Sequence, residues 1–258
     1  MGVVKGACKG QRVIRLLIKN RLLQEGQMRV IGVLGGMSWE STQGYYRALN
    51  DGVKAALGGL HSAKIVLISV DFAEIEAMQQ QGHWEAAGEL LASAAQRVEG
   101  AGADCLLIAT NTMHKVAPAV ERAITIPLLH IADATAEQLQ ADGVRRVGLL
   151  GTRFTMEQDF YLGRLEERFG IEVVVPNQAE RDIVHRVIFE ELCQGRIDDT
   201  SRQHYLTIID SLYAQGAQAV ILGCTEIAML VSQQDTPVPL YDTTALHAQK
   251  AVAWALSD

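Results

Sequence analysis

From Met28 onward the chain carries the same order of strand and helix signals twice, in nearly the same register. That repetition constrains the fold more than any other feature. Apolar runs (RVIGVLGG, AKIVLISV, CLLIAT) alternate with segments of helical spacing (SWESTQGYYRALNDGVKAAL, WEAAGELLASAAQRVEGAGA, HKVAPAVERAI). The second half repeats the order with RRVGLLGT, IEVVVP and AVILGCTEIAML, and with helical patterns at RDIVHRVIFEELCQG and RQHYLTIIDSLYAQGAQ. Setting VIGVLGG over RVGLLGT places Gly32 and Gly35 on Gly148 and Gly151, 116 residues on. Setting GADCLLIATNT over GAQAVILGCTE places Gly102 on Gly216 and Thr110 on Cys224, 114 residues on. Strand–helix alternation predicts parallel sheets covered by helices on both faces. The matching offsets predict two pseudo-symmetric α/β lobes.

In parallel sheets ligands sit beyond the carboxyl ends of the strands. TNTMH and CTEI both lie at such ends, so facing lobes would present them to one cleft. Thr110 and Cys224 would then bracket its contents. Inverting a carbon needs acid–base groups on both sides of a plane, and a thiol suits that work once neighbouring donors lower its pKa. Cys224 stands where a strand gives way to a helical segment, whose backbone N–H groups are expected to favour a thiolate and to bind a carboxylate. Asn111, Thr112 and Thr225 add neutral donors for a small polar ligand. Glu226 has two readings, as an acceptor for a substrate ammonium or as a like charge that raises the thiol pKa. His114 either orients this turn or packs beneath it.

Composition narrows the partners. Of 258 residues, 48% are hydrophobic and 21% charged, with a net charge of -7, which gives no reason to expect nucleic acid or an anionic membrane. No apolar run approaches the roughly 18 residues of a membrane span. Cys8, Cys105, Cys193 and Cys224 form no C-x-x-C pair, so no metal site is expected, and with no clear secretory signal the expected location is cytoplasmic. GGMSWES lacks the glycine spacing of a nucleotide loop. The first 27 residues hold six basic residues and one acid, against 17 basic and 29 acidic in the remainder. They read as a disordered N-terminal extension (1–27).

Taken together, IGVLGGMSWEST, YYRALN, TNTMHK, LLGTRFTM and GCTEI resemble the aspartate/glutamate racemase family across the chain from Met28. The resemblance implies two α/β lobes with the active site between them, and a C-terminal segment that returns to the first, so that lobe 1 is placed at 28–131 plus 238–258 and lobe 2 at 132–237. It implies inversion of amino-acid α-carbons without pyridoxal phosphate or metal. It also implies two catalytic cysteines, one per lobe, and a homodimer. The second falls on Cys224; the first falls on Thr110, as in the branch of the family with a Thr/Cys pair. Met37 and Gln79 are implied as substrate contacts, beside Asn111, Thr112, Thr225 and Glu226. No basic residue in SVDFAEIEAMQQ is placed to hold a distal carboxylate, so aspartate, glutamate and an uncharged polar side chain such as homoserine's stay open. A two-lobe amino-acid-binding protein, or a decarboxylase or maleate-isomerase type of enzyme with one working cysteine, fits the same outline.

Overall fold

A computed structural model describes residues 28–257; the expectation for 1–27 lies outside the described residues. Lobe 1 is built on strands β1 (Ile31–Gly35), β2 (Ile65–Ser69) and β3 (Cys105–Ile108), ordered β2-β1-β3 and all parallel. Leu128 extends this sheet by pairing in parallel with Leu106 of β3. Lobe 2 is built on β4 (Arg146–Gly151), β5 (Glu172–Val174), β6 (Ala219–Gly223) and β7 (Leu240–Asp242), ordered β5-β4-β6-β7.

The repeat holds residue by residue. Gly32 pairs with Leu106 in lobe 1, and Gly148 with Val220 in lobe 2. Gly102 and Gly216 both turn the chain into the next strand at positive φ, 90° and 94°. A Cβ on Gly32 would lie 2.4 Å from Val98 of α3 (Trp84–Gly100), and one on Gly148 would lie 2.9 Å from Leu212 of α9 (Asp199–Ala214). Each central strand therefore uses a glycine to let the equivalent helix sit close.

Helix α1 (Trp39–Leu57) shows how local sequence places the first wall of the cleft. The Ser38 side chain caps it by accepting from the Ser41 N–H at 3.4 Å. Tyr45, Leu49 and Val53, four residues apart, form its buried face, and Gly58 closes it at φ 79°. Helices α2 (Phe72–Gln81), α3 and α4 (Ala117–Ala123) complete lobe 1. Helices α6 (Arg153–Glu157), α7 (Asp159–Gly163), α8 (Gln178–Glu190) and α9 surround lobe 2.

The lobes exchange one helix each. α5 (Ile131–Ala141) follows the last strand position of lobe 1 but packs Ile131, Ala132, Ala136 and Leu139 into the core of lobe 2. α11 (Thr243–Ala255) follows β7 but packs Ala248, Ala251, Val252 and Ala255 against Tyr45, Leu49 and Val53 of lobe 1. This corrects one boundary. Residues 238–242 were placed in lobe 1, yet β7 pairs with β6 and Val238 is buried in the lobe 2 core, so the return begins at Thr243. The sequence run VPLYD shows a strand but not which sheet receives it. No helix among the described residues is long and apolar enough to cross a membrane.

Candidate active site

The carboxyl ends of β1, β3, β4 and β6 converge on a cleft of about 320 Å³ between the lobes. Met37, Gln79, Thr110, Asn111 and Thr112 reach it from lobe 1, and Thr152, Cys193, Cys224 and Glu226 from lobe 2. Phe72, Ile188 and Phe189 also line it, and the two phenylalanine rings stack across the lobes at 6.3 Å. No lysine or arginine is among these lining residues.

The turn after β1 is made by Gly36 at φ 91°, where a Cβ would collide with the Val70 carbonyl at 2.2 Å. Its N–H donates to Thr42 Oγ1 at 2.8 Å, which sets Met37 and Ser38 at the cleft floor. After β3, Thr110 is buried, and its hydroxyl makes no hydrogen bond among the described residues. Its carbonyl accepts from His114 Nδ1–H at 2.8 Å, while His114 Nε2 accepts from the Ile131 N–H at 3.2 Å. His114 is thus a neutral strut between the Thr110 turn and α5. Burial, ahead of every other influence, lowers its pKa to about 4. It packs against His130, centroids 4.4 Å apart, and is absent from the cleft lining.

Asn111 donates from Nδ2 to Thr243 Oγ1 at 3.0 Å, and Gln79 from Nε2 to Met113 Sδ at 3.1 Å. Each leaves a buried amide oxygen without a partner among the described residues. Two unsatisfied acceptors on one cleft suit the N–H donors of an ammonium group.

The turn after β6 is organised around Glu226, only 2% exposed. Its Oε1 accepts from Ser38 Oγ–H at 2.6 Å and from the Ser38 N–H at 3.4 Å. Its Oε2 accepts from Thr225 Oγ1–H at 2.7 Å and from Cys224 Sγ–H at 2.9 Å. Glu226 therefore faces the thiol with its acceptors engaged. Thr225 supports it from behind and does not line the cleft. The expectation of a resting thiolate fails here. α10 (Ile227–Leu230) is a single turn, and Cys224 is buried beside a carboxylate. Burial first and the Glu226 charge second push its pKa well above the ordinary thiol value. Thr112 Oγ1 hydrogen-bonds Thr152 Oγ1 at 2.9 Å and lies 3.5 Å from Thr155 Oγ1, joining the lobes.

Sequence reasoning missed three participants: Ser38 as a partner of Glu226, Thr152 as a partner of Thr112, and Cys193 on the cleft wall. Nothing local in the sequence pairs Ser38 with Glu226 or Thr152 with Thr112, and Cys193 carried no local signal.

The Asp/Glu/hydantoin racemase family matches residues 34–251. The crystal structure of a putative Asp/Glu racemase from Yersinia pestis is 56% identical, with a TM-score of 0.83 over 89% of this chain and all of that one. An aspartate racemase homologue from Pyrococcus horikoshii OT3 is 35% identical, with a TM-score of 0.78 over 89% of this chain and all of its own. The broad-specificity amino-acid racemase RacX of Bacillus subtilis (strain 168) is 24% identical over 166 residues, covering 63% of this chain and 70% of that protein. With a two-lobed fold, a cleft at the strand ends and a thiol poised on a carboxylate, the chain belongs to the Asp/Glu/hydantoin racemase family.

Proposed function

We propose that this racemase inverts the α-carbon of a polar amino acid with side chains alone, and that Cys224 exchanges the α-proton on one face of the substrate. The observation that carries the reading is the 2.9 Å hydrogen bond from the Cys224 thiol to Glu226, in the cleft that Thr110 also lines. Glu226 takes the S–H proton, and the thiolate so formed takes the α-proton. The unpartnered oxygens of Gln79 and Asn111 hold the ammonium group. The Thr110 hydroxyl, without a partner among the described residues, hands a water-derived proton to the other face.

The substrate side chain is read as polar and uncharged, in preference to aspartate or glutamate. A distal carboxylate would be desolvated against Phe72, Ile188 and Phe189 with no cation among the lining residues. The enzyme is further read as a cytoplasmic homodimer. Cys105, Cys193 and Cys224 are free thiols, and α1 exposes Trp39 and Tyr46. Light scattering that gives the monomer mass would remove the dimer.

The test is deuterium incorporation at the α-carbon in heavy water, followed by NMR with L-homoserine, L-aspartate and L-glutamate. Homoserine should exchange and invert fastest. Cys224→Ala should abolish both, a loss of about 10⁴-fold. Exchange that survives in Cys224→Ala refutes the assignment. Binding without exchange would make the protein a sensor, and turnover of malonate-like diacids alone would make it a decarboxylase.

A further inference from the structure

Each inversion takes a proton from one face of the carbon and supplies one to the other. A matched pair of thiols can hold the difference until the reverse reaction. Thr110 cannot, because an alkoxide is far too basic to persist, so its proton comes from water. The proton taken on the Cys224 side must therefore leave to solvent before the next cycle. Cys224 is 8% exposed, and Ser38, Thr225 and Glu226 are all buried. Two groups lead outward from them. Cys193, in the 3₁₀ turn Leu192–Gln194, lines the same cleft as Cys224 and Glu226 but is only partly buried. Glu40, in the first turn of α1, reaches over that turn from the other lobe, with its Oε1 4.0 Å from where a Gly195 Cβ would lie. Its Oε2 is buried without a partner among the described residues.

We propose that Cys193 passes protons from Glu226 to Glu40, and so to solvent. This rests on the reading that Cys224 takes the α-proton. The step balances: Glu226 O–H gives its proton to the Cys193 sulfur as Cys193 S–H gives its own to the Glu40 carboxylate. Glu40 releases a proton to water, matching the one that entered through Thr110. The carboxylates of Glu226 and Glu40 both raise the proton affinity of the Cys193 thiol, behind the larger effect of burial. A thiol kept protonated under the influence of two carboxylates suits a relay, not a nucleophile.

The experiment measures kcat and KM for L-homoserine with Cys193→Ala, Cys193→Ser and Glu40→Gln, in dilute and in concentrated imidazole buffer. In dilute buffer Cys193→Ala should lose about 10²-fold in kcat, the low end of acid–base effects, with KM unchanged. Concentrated imidazole should restore it by carrying the proton directly. Cys193→Ser should fall between wild type and Cys193→Ala, and Glu40→Gln should show a smaller loss with the same rescue. Wild-type kcat in Cys193→Ala, or a loss that no buffer concentration repairs, overturns the relay. If Cys224→Ala is inactive while Cys193→Ala matches wild type, only the relay falls. If Cys224→Ala still exchanges, the underlying reading falls first.

Discussion

The turns after β3 and β6 occupy equivalent places in the two lobes and do different work. Register sets Thr110 against Cys224, Asn111 against Thr225 and Thr112 against Glu226. In each lobe the third of these residues reaches across to the residue that caps the helix after the first strand of the other lobe. Thr112 bonds Thr152, the N-cap of α6, and Glu226 bonds Ser38, the N-cap of α1. The clasp is the same twice over. In lobe 1 it joins hydroxyl to hydroxyl. In lobe 2 a carboxylate replaces one hydroxyl and can also accept a thiol proton. Glu226 in the place of Thr112 therefore gives the lobe 2 turn a proton acceptor beside its thiol that the lobe 1 turn lacks.

The sharpest way to break this comparison is to make the second clasp neutral like the first. Glu226→Gln keeps the size and the link to Ser38 but removes the charge and the proton acceptor. We expect kcat to fall about 10²–10³-fold, the scale of a lost general base. The Cys224 pKa should fall as well, because a like charge has gone, while staying above the ordinary value because burial, the larger cause, remains. Thiolate absorbance against pH reads the second effect separately from the first.

Much of this comparison was legible in the sequence. The glycine register fixed the two lobes, because Gly32 and Gly148 answer the same need, close helix approach on a central strand. Thr110 and Cys224 were paired by the same register. The clasp was not legible, since Ser38 and Thr152 announce helix starts and nothing local says which side chain of the opposite lobe will meet them. The protonation state of Cys224 was misread for a similar reason. Strand followed by helix signals an electropositive turn, but α10 is a single turn and Glu226 folds back on the thiol. The exchange of α5 and α11 was half legible: the return of the C-terminal helix was expected, but its hinge at Thr243 depends on sheet pairing.

The support behind the two turns also differs. Behind Thr110 stand three buried histidines, His114, His130 and His247, whereas the position equivalent to His114 in lobe 2 is Ala228. Burial, joined by the smaller effect of the Arg164 charge, outweighs the opposing Thr110 hydrogen bond and Asp133 charge and holds His114 neutral with a pKa of about 4. His247 is held at about 3, and His130 is also lowered. The unfolded chain binds these protons near pH 6.5 and the folded one does not. Stability should therefore be full above about pH 6.5 and fall as the pH drops towards 4, by roughly 3 kcal/mol for His114 alone. Denaturant midpoints at pH 7.5 and 4.5 measure this. A His114→Gln variant should be less stable at neutral pH yet lose less between the two. An equal loss in both would show that the strut does not set the acid sensitivity.

Thr110 itself sharpens the contrast between the faces. Thr110→Val removes the hydroxyl and keeps the shape, so exchange at the Cys224 face should continue while inversion slows. The ratio of α-deuteration with retention to inversion should rise about tenfold. Thr110→Cys should speed proton delivery to the second face only modestly. It would lack the carboxylate that Glu226 gives Cys224, since Thr112 holds the equivalent place. A fall of exchange and inversion together in Thr110→Val would mean that Thr110 shapes the cleft and relays nothing.

The smallest effect belongs to the neutral clasp. Thr112→Val deletes one hydroxyl between the lobes and leaves an isosteric methyl. Thr152 and Thr155 would still pair with each other at 3.2 Å, so neither is stranded. The loss should be that of one buried neutral hydrogen bond, about 1 kcal/mol or less, read as a small drop in denaturant midpoint. If Thr112 only clasps the lobes, KM for L-homoserine will not change. If its hydroxyl also donates to the substrate, KM will rise severalfold at unchanged stability, and the lobe 1 turn is then a binding element as well as a joint.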